Sequence, residues 1–281
     1  MWASIYPDDD LYQLVRDGGW TLEAMNGYAK DVYQDLNGNN EMDDGDQYGM
    51  IFTECFDGAV LACGCGVEIT SFDADGVPSI RFTQEPDRLI DFWDKFFPIR
   101  GGSEYYNVPG GGRLDVDTFV NNRILFSYGF LEYTTTKLRG MDDDYGILPL
   151  PKLDTAQEHY ISVMKDSIHL YGIPTTVTEA GLDAACAVLE ASASFGYKTL
   201  QPAYYEYALI NKFIRDEESV EVIDILSAYP VCDFGLQYYD LGFAEFMGAG
   251  KTAEMASRIE KVTNKFANTL AGLLKKLEEE A

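Results

Sequence analysis

The feature that most constrains this chain is a repeated change of hydrophobic period. Leu22, Met25, Ala29, Val32 and Leu36 mark one helical face, and Leu89, Phe92, Trp93 and Phe96 a second. Met255, Ile259, Val262, Phe266, Leu270, Leu274 and Leu277 mark a long terminal one. Between them residues 47–52, 123–130 and 167–173 are rich in β-formers and read as strands. Helices alternating with strands predict an α/β chain. The punctuation agrees with that pattern. Gly18-Gly19 breaks the chain, Thr21 is set to cap a helix, and Trp20 can staple against Met25. That helix is expected to run on to Asp35. Residues 56–65 and 220–226 read as further short helices, and Thr178 caps another. Residues 69–78 read as a hairpin around Asp75-Gly76. Pro149 and Pro151 demand extended backbone and mark a crossing between domains.

Charge narrows the partners. With 47 acidic and 21 basic residues the net charge is -26, which repels nucleic acid and anionic membrane surfaces. No apolar stretch reaches the roughly 18 residues of a membrane span. The N-terminus, Met1-Trp2-Ala3-Ser4, lacks a basic region followed by an apolar run, so a secretory signal is expected to have been removed or to lie outside this chain. Cys55, Cys63, Cys65, Cys186 and Cys232 are odd in number and lack metal or redox spacing. They are expected to be reduced, and mostly buried as small apolar residues.

The sharpest local signal runs from Asp35 to Asp46. Asp35, Asn37, Asn39, Asp43 and Asp46 place side-chain oxygens at loop positions 1, 3, 5, 9 and 12, and Glu41 at position 7 offers its backbone carbonyl. A hard cation needs such a shell of oxygens, so the loop is expected to hold a structural Ca2+. Asn40 replaces the usual glycine at position 6, and Asp46 replaces the usual glutamate at 12, as in dockerin-type loops. The competing reading is an Asx-rich turn with no ion.

Catalytic patterns are missing. The two histidines, His159 and His169, form no zinc motif, and no nucleophile elbow is present. The glycine-rich stretches lack a nucleotide-loop pattern. The chain is therefore read as a non-enzyme. Tyr is abundant, at 19 residues, and suits a cleft that must be apolar on the ring face and polar at the hydroxyl. Tyr128, Phe130 and Tyr133, around the glycine that ends a strand, and Tyr204 and Tyr205 are the candidate ligand residues. Tyr238 and Tyr239 form a further aromatic pair.

These segments together resemble a family. Gly18-Gly19-Trp20-Thr21-Leu22-Glu23 with its helix and the loop ending Asp46-Gln47-Tyr48-Gly49-Met50 resemble family 1 extracellular solute-binding proteins. So do Phe119-Val120-Asn121-Asn122-Arg123-Ile124-Leu125-Phe126 and Tyr145-Gly146-Ile147-Leu148-Pro149-Leu150-Pro151-Lys152. Thr199-Leu200-Gln201-Pro202-Ala203-Tyr204-Tyr205, Arg215-Asp216-Glu217-Glu218-Ser219 and Asp233-Phe234-Gly235 follow in the same order. The resemblance implies a type II periplasmic-binding-protein-like α/β fold of two hinged lobes, monomeric, with one lobe nearly complete here and the other a remnant. On that basis residues 1–147 form the main lobe, 148–200 the interlobe crossing and remnant, and 201–281 helices returning to the main lobe. It also implies a sugar or oligosaccharide ligand, ABC permease subunits as partners, and a cell-surface lipoprotein outside the cell. A calcium-stabilised surface carbohydrate-binding or adhesion protein without a transporter is the alternative. A glycoside hydrolase is a third.

Overall fold

The computed structural model describes residues 1–52, 55–101, 106–107, 114–164, 171–205, 216–238, 243 and 255–280. They form a mixed α/β chain. Contacts divide it into two compact units, residues 1–129, 148–164 and 222–281 in the larger, and 130–147 and 165–221 in the smaller.

The larger unit is organised by a parallel sheet. Its strands are β1 (Tyr48–Phe52), β4 (Tyr106–Asn107) and β5 (Ile124–Phe126), in the order β4-β1-β5. Ile51 lies opposite Tyr106 on one side of β1, and Met50 opposite Phe126 on the other. All five β1 residues are buried, as a parallel strand covered on both faces requires. The hairpin β2 (Thr70–Phe72) and β3 (Pro78–Ile80) turns where Asp73 accepts from the Asp75 and Val77 amides and Gly76 takes φ 77°. A third pair, β6 (Ser162–Val163) and β7 (Pro230–Val231), is parallel.

Around the sheet lie α1 (Trp2–Ile5), α2 (Leu11–Arg16), α3 (Leu22–Ala29), α4 (Cys55–Gly64), α5 (Pro86–Gly101) and α6 (Leu114–Val120). Helix α5 starts on a proline, whose missing N–H is no loss at that position. Its Leu89, Phe92, Trp93 and Phe96 are fully buried, with Phe96 edge-on to Phe52 of β1 at 5.7 Å. Burying each such ring stabilises by about 1.5–3 kcal/mol. Thr21 caps α3 through the Ala24 amide, and Trp20 donates its indole N–H to the Pro149 carbonyl. Lys152 bonds back to Trp20 and Leu22, so residues 149–152 are pinned to the start of α3.

Helix α3 is shorter than its periodicity predicts. It ends at Ala29, leaving Val32 buried outside the helix and Leu36 exposed. The reason is Gly49, where a Cβ would lie 1.9 Å from the Ala29 carbonyl oxygen. Strand β1 thus runs directly over the end of α3, and the chain must turn away. The strand expected over 123–130 also shortens to β5. Of the strand expected over 167–173, residues 171–173 carry no regular structure and the rest lie outside the described residues.

In the smaller unit, α7 (Glu179–Phe195) is capped by Thr178 and continues through a π-helical stretch, Gly196–Leu200. Helix α8 (Glu217–Ala228) begins in the smaller unit and ends in the larger. The larger unit is completed by α9 (Phe234–Gln237) and α10 (Met255–Glu280), whose Val262, Phe266 and Leu270 enter the core. No helix among the described residues is long and apolar enough to cross a membrane. Of the expected buried cysteines, Cys63 and Cys65 are buried, but Cys186 and Cys232 are exposed free thiols. Helix α7 buries none of its side chains, and Cys186 shares that exposure.

Asp233 clasps two sequence-distant stretches of the larger unit together. Its carboxylate accepts from the Ile69, Thr70 and Gly235 amides and from the Thr70 hydroxyl, at 2.8–3.2 Å, while buried. Replacing Asp233 by Ala leaves those donors unsatisfied and should cost about 3 kcal/mol. Urea denaturation measures this; a loss below about 0.5 kcal/mol, the level of a neutral surface change, would remove the clasp.

Candidate functional site

The loop from Asp35 to Asp46 is closed at its neck by paired backbone hydrogen bonds between Gln34 and Gln47, both 3.0 Å. Asp35, at position 1, accepts the Gly38 amide at 2.6 Å and the Asn40 amide at 2.8 Å. Gly38 and Asn40 both take positive φ, 74° and 61°. Asparagine at position 6 thus adopts the left-handed conformation the loop requires there. Asn37 accepts the Asn39 amide, and Asn39 accepts the Glu41 amide. Both asparagines donate side-chain N–H groups to Asp43, at 2.6–3.1 Å. Positions 3, 5 and 9 therefore converge. Asp46, at position 12, is fully buried and accepts from the Tyr33 hydroxyl and the Leu36 and Asp43 amides.

The residue types are those a hard cation takes, but as arranged here their oxygens accept hydrogen bonds from within the loop and from Tyr33. The Asp43 carboxylate is met by the N–H ends of two amides whose oxygens accept the Asn39 and Glu41 backbone amides, so presenting those oxygens to an ion would require both amides to turn and give up these bonds. Among the described residues no group of three or more His, Cys, Asp or Glu side chains could hold a metal. A cation here would therefore depend on the asparagine oxygens and the Glu41 carbonyl as well as on carboxylates.

The electrostatics reflect the same convergence. The Gly45 amide, then Asn37 and Asn39, hold the Asp43 carboxyl below its ordinary 3.8, and Arg123 adds a smaller pull. Desolvation, and then the bond to Asp46, raises the Tyr33 hydroxyl above its ordinary 10.

Of the aromatic candidates, Tyr128 belongs to the larger unit, while Phe130, Tyr133, Tyr204 and Tyr205 belong to the smaller. Tyr128 follows the carboxyl end of β5, half-buried, its ring 6.3 Å from that of Phe52 at the end of β1. In the smaller unit Phe130 meets Tyr133 edge-on at 5.6 Å, and Tyr204 meets Tyr205 edge-on at 6.1 Å. Tyr133 sits in the 3-10 turn Leu131–Thr134 beside Glu132. Burial, then Tyr205 and the Glu132 charge, raise the Tyr204 hydroxyl. Glu132, which has no motif of its own in the sequence, adjoins Tyr133 and lies near enough to Tyr204 for its charge to act on that hydroxyl. Tyr238 stacks on Phe234 at 5.7 Å, while Tyr239 and His169 lie outside the described residues. His159 stacks on Tyr229 with ring centroids 3.8 Å apart, a packing role.

No family model, curated protein or solved structure matches this chain.

The depressed Asp43 carboxyl gives a pH test. A carboxyl lowered on folding stabilises the loop fully above the unfolded value near 3.8, and that contribution is lost as pH falls through the lower folded value. NMR titration of Asp43 should give a midpoint below 3.8, moving up towards it in Asn39→Ala. A wild-type midpoint at or above 3.8 would contradict the convergence.

Proposed function

We propose that this chain is the solute-binding component of an ABC-type importer, taking a sugar or oligosaccharide outside the cell, with calcium stabilising its Asx-rich loop. The supporting observation is the position of Tyr128. Strand β1 has β4 on one side and β5 on the other, and ligands of open α/β sheets bind outside the strands' carboxyl ends where the strand order reverses. Tyr128 lies two residues past the carboxyl end of β5. The chain also changes compact unit four times, after Gly129, Ile147, Met164 and Glu221, which suits a two-lobed binder of the type II periplasmic-binding-protein kind.

The proposed mechanism is non-covalent. In the larger unit the Tyr128 ring offers a face to the apolar C–H surface of a sugar; in the smaller unit Phe130, Tyr133, Tyr204 and Tyr205 offer rings of the same kind, with Glu132 as a hydroxyl acceptor. Permease subunits receive the solute, and lipid anchoring holds the binder at the cell surface. In the loop, Asp35, Asn37, Asn39, Asp43 and Asp46 would hold calcium with the Glu41 carbonyl, and the ion would supply only charge neutralisation and order.

Two measurements test this reading. Calcium at about a hundredfold excess over its Kd should stabilise the chain by about 2.7 kcal/mol, and Asp35→Ala should abolish the effect. Identical melting curves in calcium and chelator would remove the site. Against an oligosaccharide panel, Tyr128→Ala should weaken the tightest binding about tenfold, or about 1.4 kcal/mol. Unaltered affinity would take Tyr128 out of the cleft, and no binding across the panel would sink the sugar reading.

A further inference from the structure

A separate pocket of about 370 Å³ lies within the larger unit, walled by the turn after α4, the segment leading from β3 into α5, and the loop at 156–161. None of the calcium-loop or aromatic residues lines it. Its fixed point is Arg88. The guanidinium Nε donates to the Cys65 carbonyl and Nη2 to Gln157 Oε1, both at 2.8 Å. Gln157 is itself only 9% exposed and fully engaged. Its Oε1 also accepts the Leu153 amide at 3.0 Å, and its Nε2 donates to the carbonyls of Gly64 and His159 at 3.0 and 2.9 Å. Gly66, at φ 78°, admits the guanidinium against the backbone, since a Cβ there would lie 2.7 Å from Arg88 Nε.

Arg88 is thus positioned, among the described residues, by neutral oxygens alone. Among the described residues no carboxylate pairs with it, and the Nη1 end of its fork carries no protein partner. An immobilised guanidinium with an open end is suited to a carboxylate. The second cation of the wall, Arg81, is already paired with Glu68 and Glu85. Among the described residues Glu158 pairs only with His159, at 3.5 Å, an ion pair only when that imidazole is protonated. The wall therefore presents one open cation and one open carboxylate, with Phe82 and Ile161 as apolar surface.

We propose that this pocket binds a free α-amino acid, its carboxylate on the open end of Arg88 and its ammonium on Glu158. A dicarboxylate would meet three glutamates and a chain of net charge -26, and a neutral sugar would leave Arg88 uncompensated. A zwitterion satisfies both charges. This site is independent of the sugar reading.

Calorimetry on the full chain with the panel of free L-amino acids tests it. At least one should bind with a Kd of about 1 mM or tighter. The carboxamide of that amino acid should bind at least about tenfold more weakly, because the fork then loses its anionic partner. Glu158→Gln, at an exposed side chain whose loss spares the fold, should weaken the amino acid about tenfold by removing the ammonium's counter-charge, while Tyr128→Ala should leave it unchanged. Arg88→Gln should abolish binding. If that variant misfolds, the carboxamide comparison and Glu158→Gln decide. No binding by any amino acid at about 10 mM, or equal affinity for acid and carboxamide, overturns the proposal.

Discussion

Two-sided burial of β1 is the constraint on which the rest of the larger unit depends. A parallel strand with hydrogen-bonded neighbours on both edges has no edge left for water, and its faces must be covered by helices. Tyr48 to Phe52 meet that demand with five buried side chains or backbone positions in succession. Gly49 shows how tight the fit is. Any larger residue would drive a carbon into the Ala29 carbonyl, so the strand and the end of α3 are fixed relative to one another by the absence of one atom. The Asx-rich loop is what the chain does between those two fixed points.

The same strands connect the loop to the aromatic residue at their far end. At the start of the β1–β5 pair, the Tyr48 hydroxyl donates to the Asp43 carbonyl at 2.8 Å, and the Arg123 guanidinium donates to the Asp44 carbonyl. At the carboxyl end of the same pair, Tyr128 leans on Phe52. Order in the loop is thereby order at the beginning of the strands that carry Tyr128. In the proposed calcium-bound state the ion stabilises the platform without touching the solute, and its contribution to binding is indirect.

Local chemistry was legible in the sequence, and long-range satisfaction was not. Thr21 and Thr178 cap helices because a hydroxyl before an apolar period has one good use, and the Asp75-Gly76 turn follows from the same short-range logic. Asn40 was readable as a left-handed residue from its place in the loop. The end of α3 was not, because the residue that stops it, Gly49, lies twenty positions beyond Ala29 and acts through space. Nothing local to Asp233 announces its role, yet it caps α9 and holds the amides of Ile69 and Thr70 across more than 160 residues. Gln157 and Arg88 escaped notice for the same reason: a polar residue's partners are set by the fold, and neither carries a spacing that announces them. Clustering in sequence does not show that the aromatic candidates divide between two units.

Burial is distributed unevenly between those units, and this bears on how a binder of this kind would work. Both hydrophobic clusters lie in the larger unit, where α5, β1 and α10 interlock through Phe52, Phe82, Phe96 and Phe266. Among the described residues of the smaller unit, burial is confined to a few positions such as Thr134, Met141, Tyr145 and Ser219. Helix α7 keeps Leu182, Val188 and Phe195 exposed, so its persistence rests on the Thr178 cap and an alanine-rich composition rather than on packing. Regions with few buried apolar contacts open at low free energy, and ligand-contacting elements are drawn from them. Of the five aromatic candidates, the one on the tightly packed unit is anchored to the sheet, and the four on the lightly packed unit are paired with one another. Tyr128 thus owes its position to the packed sheet, whereas the four rings of the smaller unit owe theirs to local pairing.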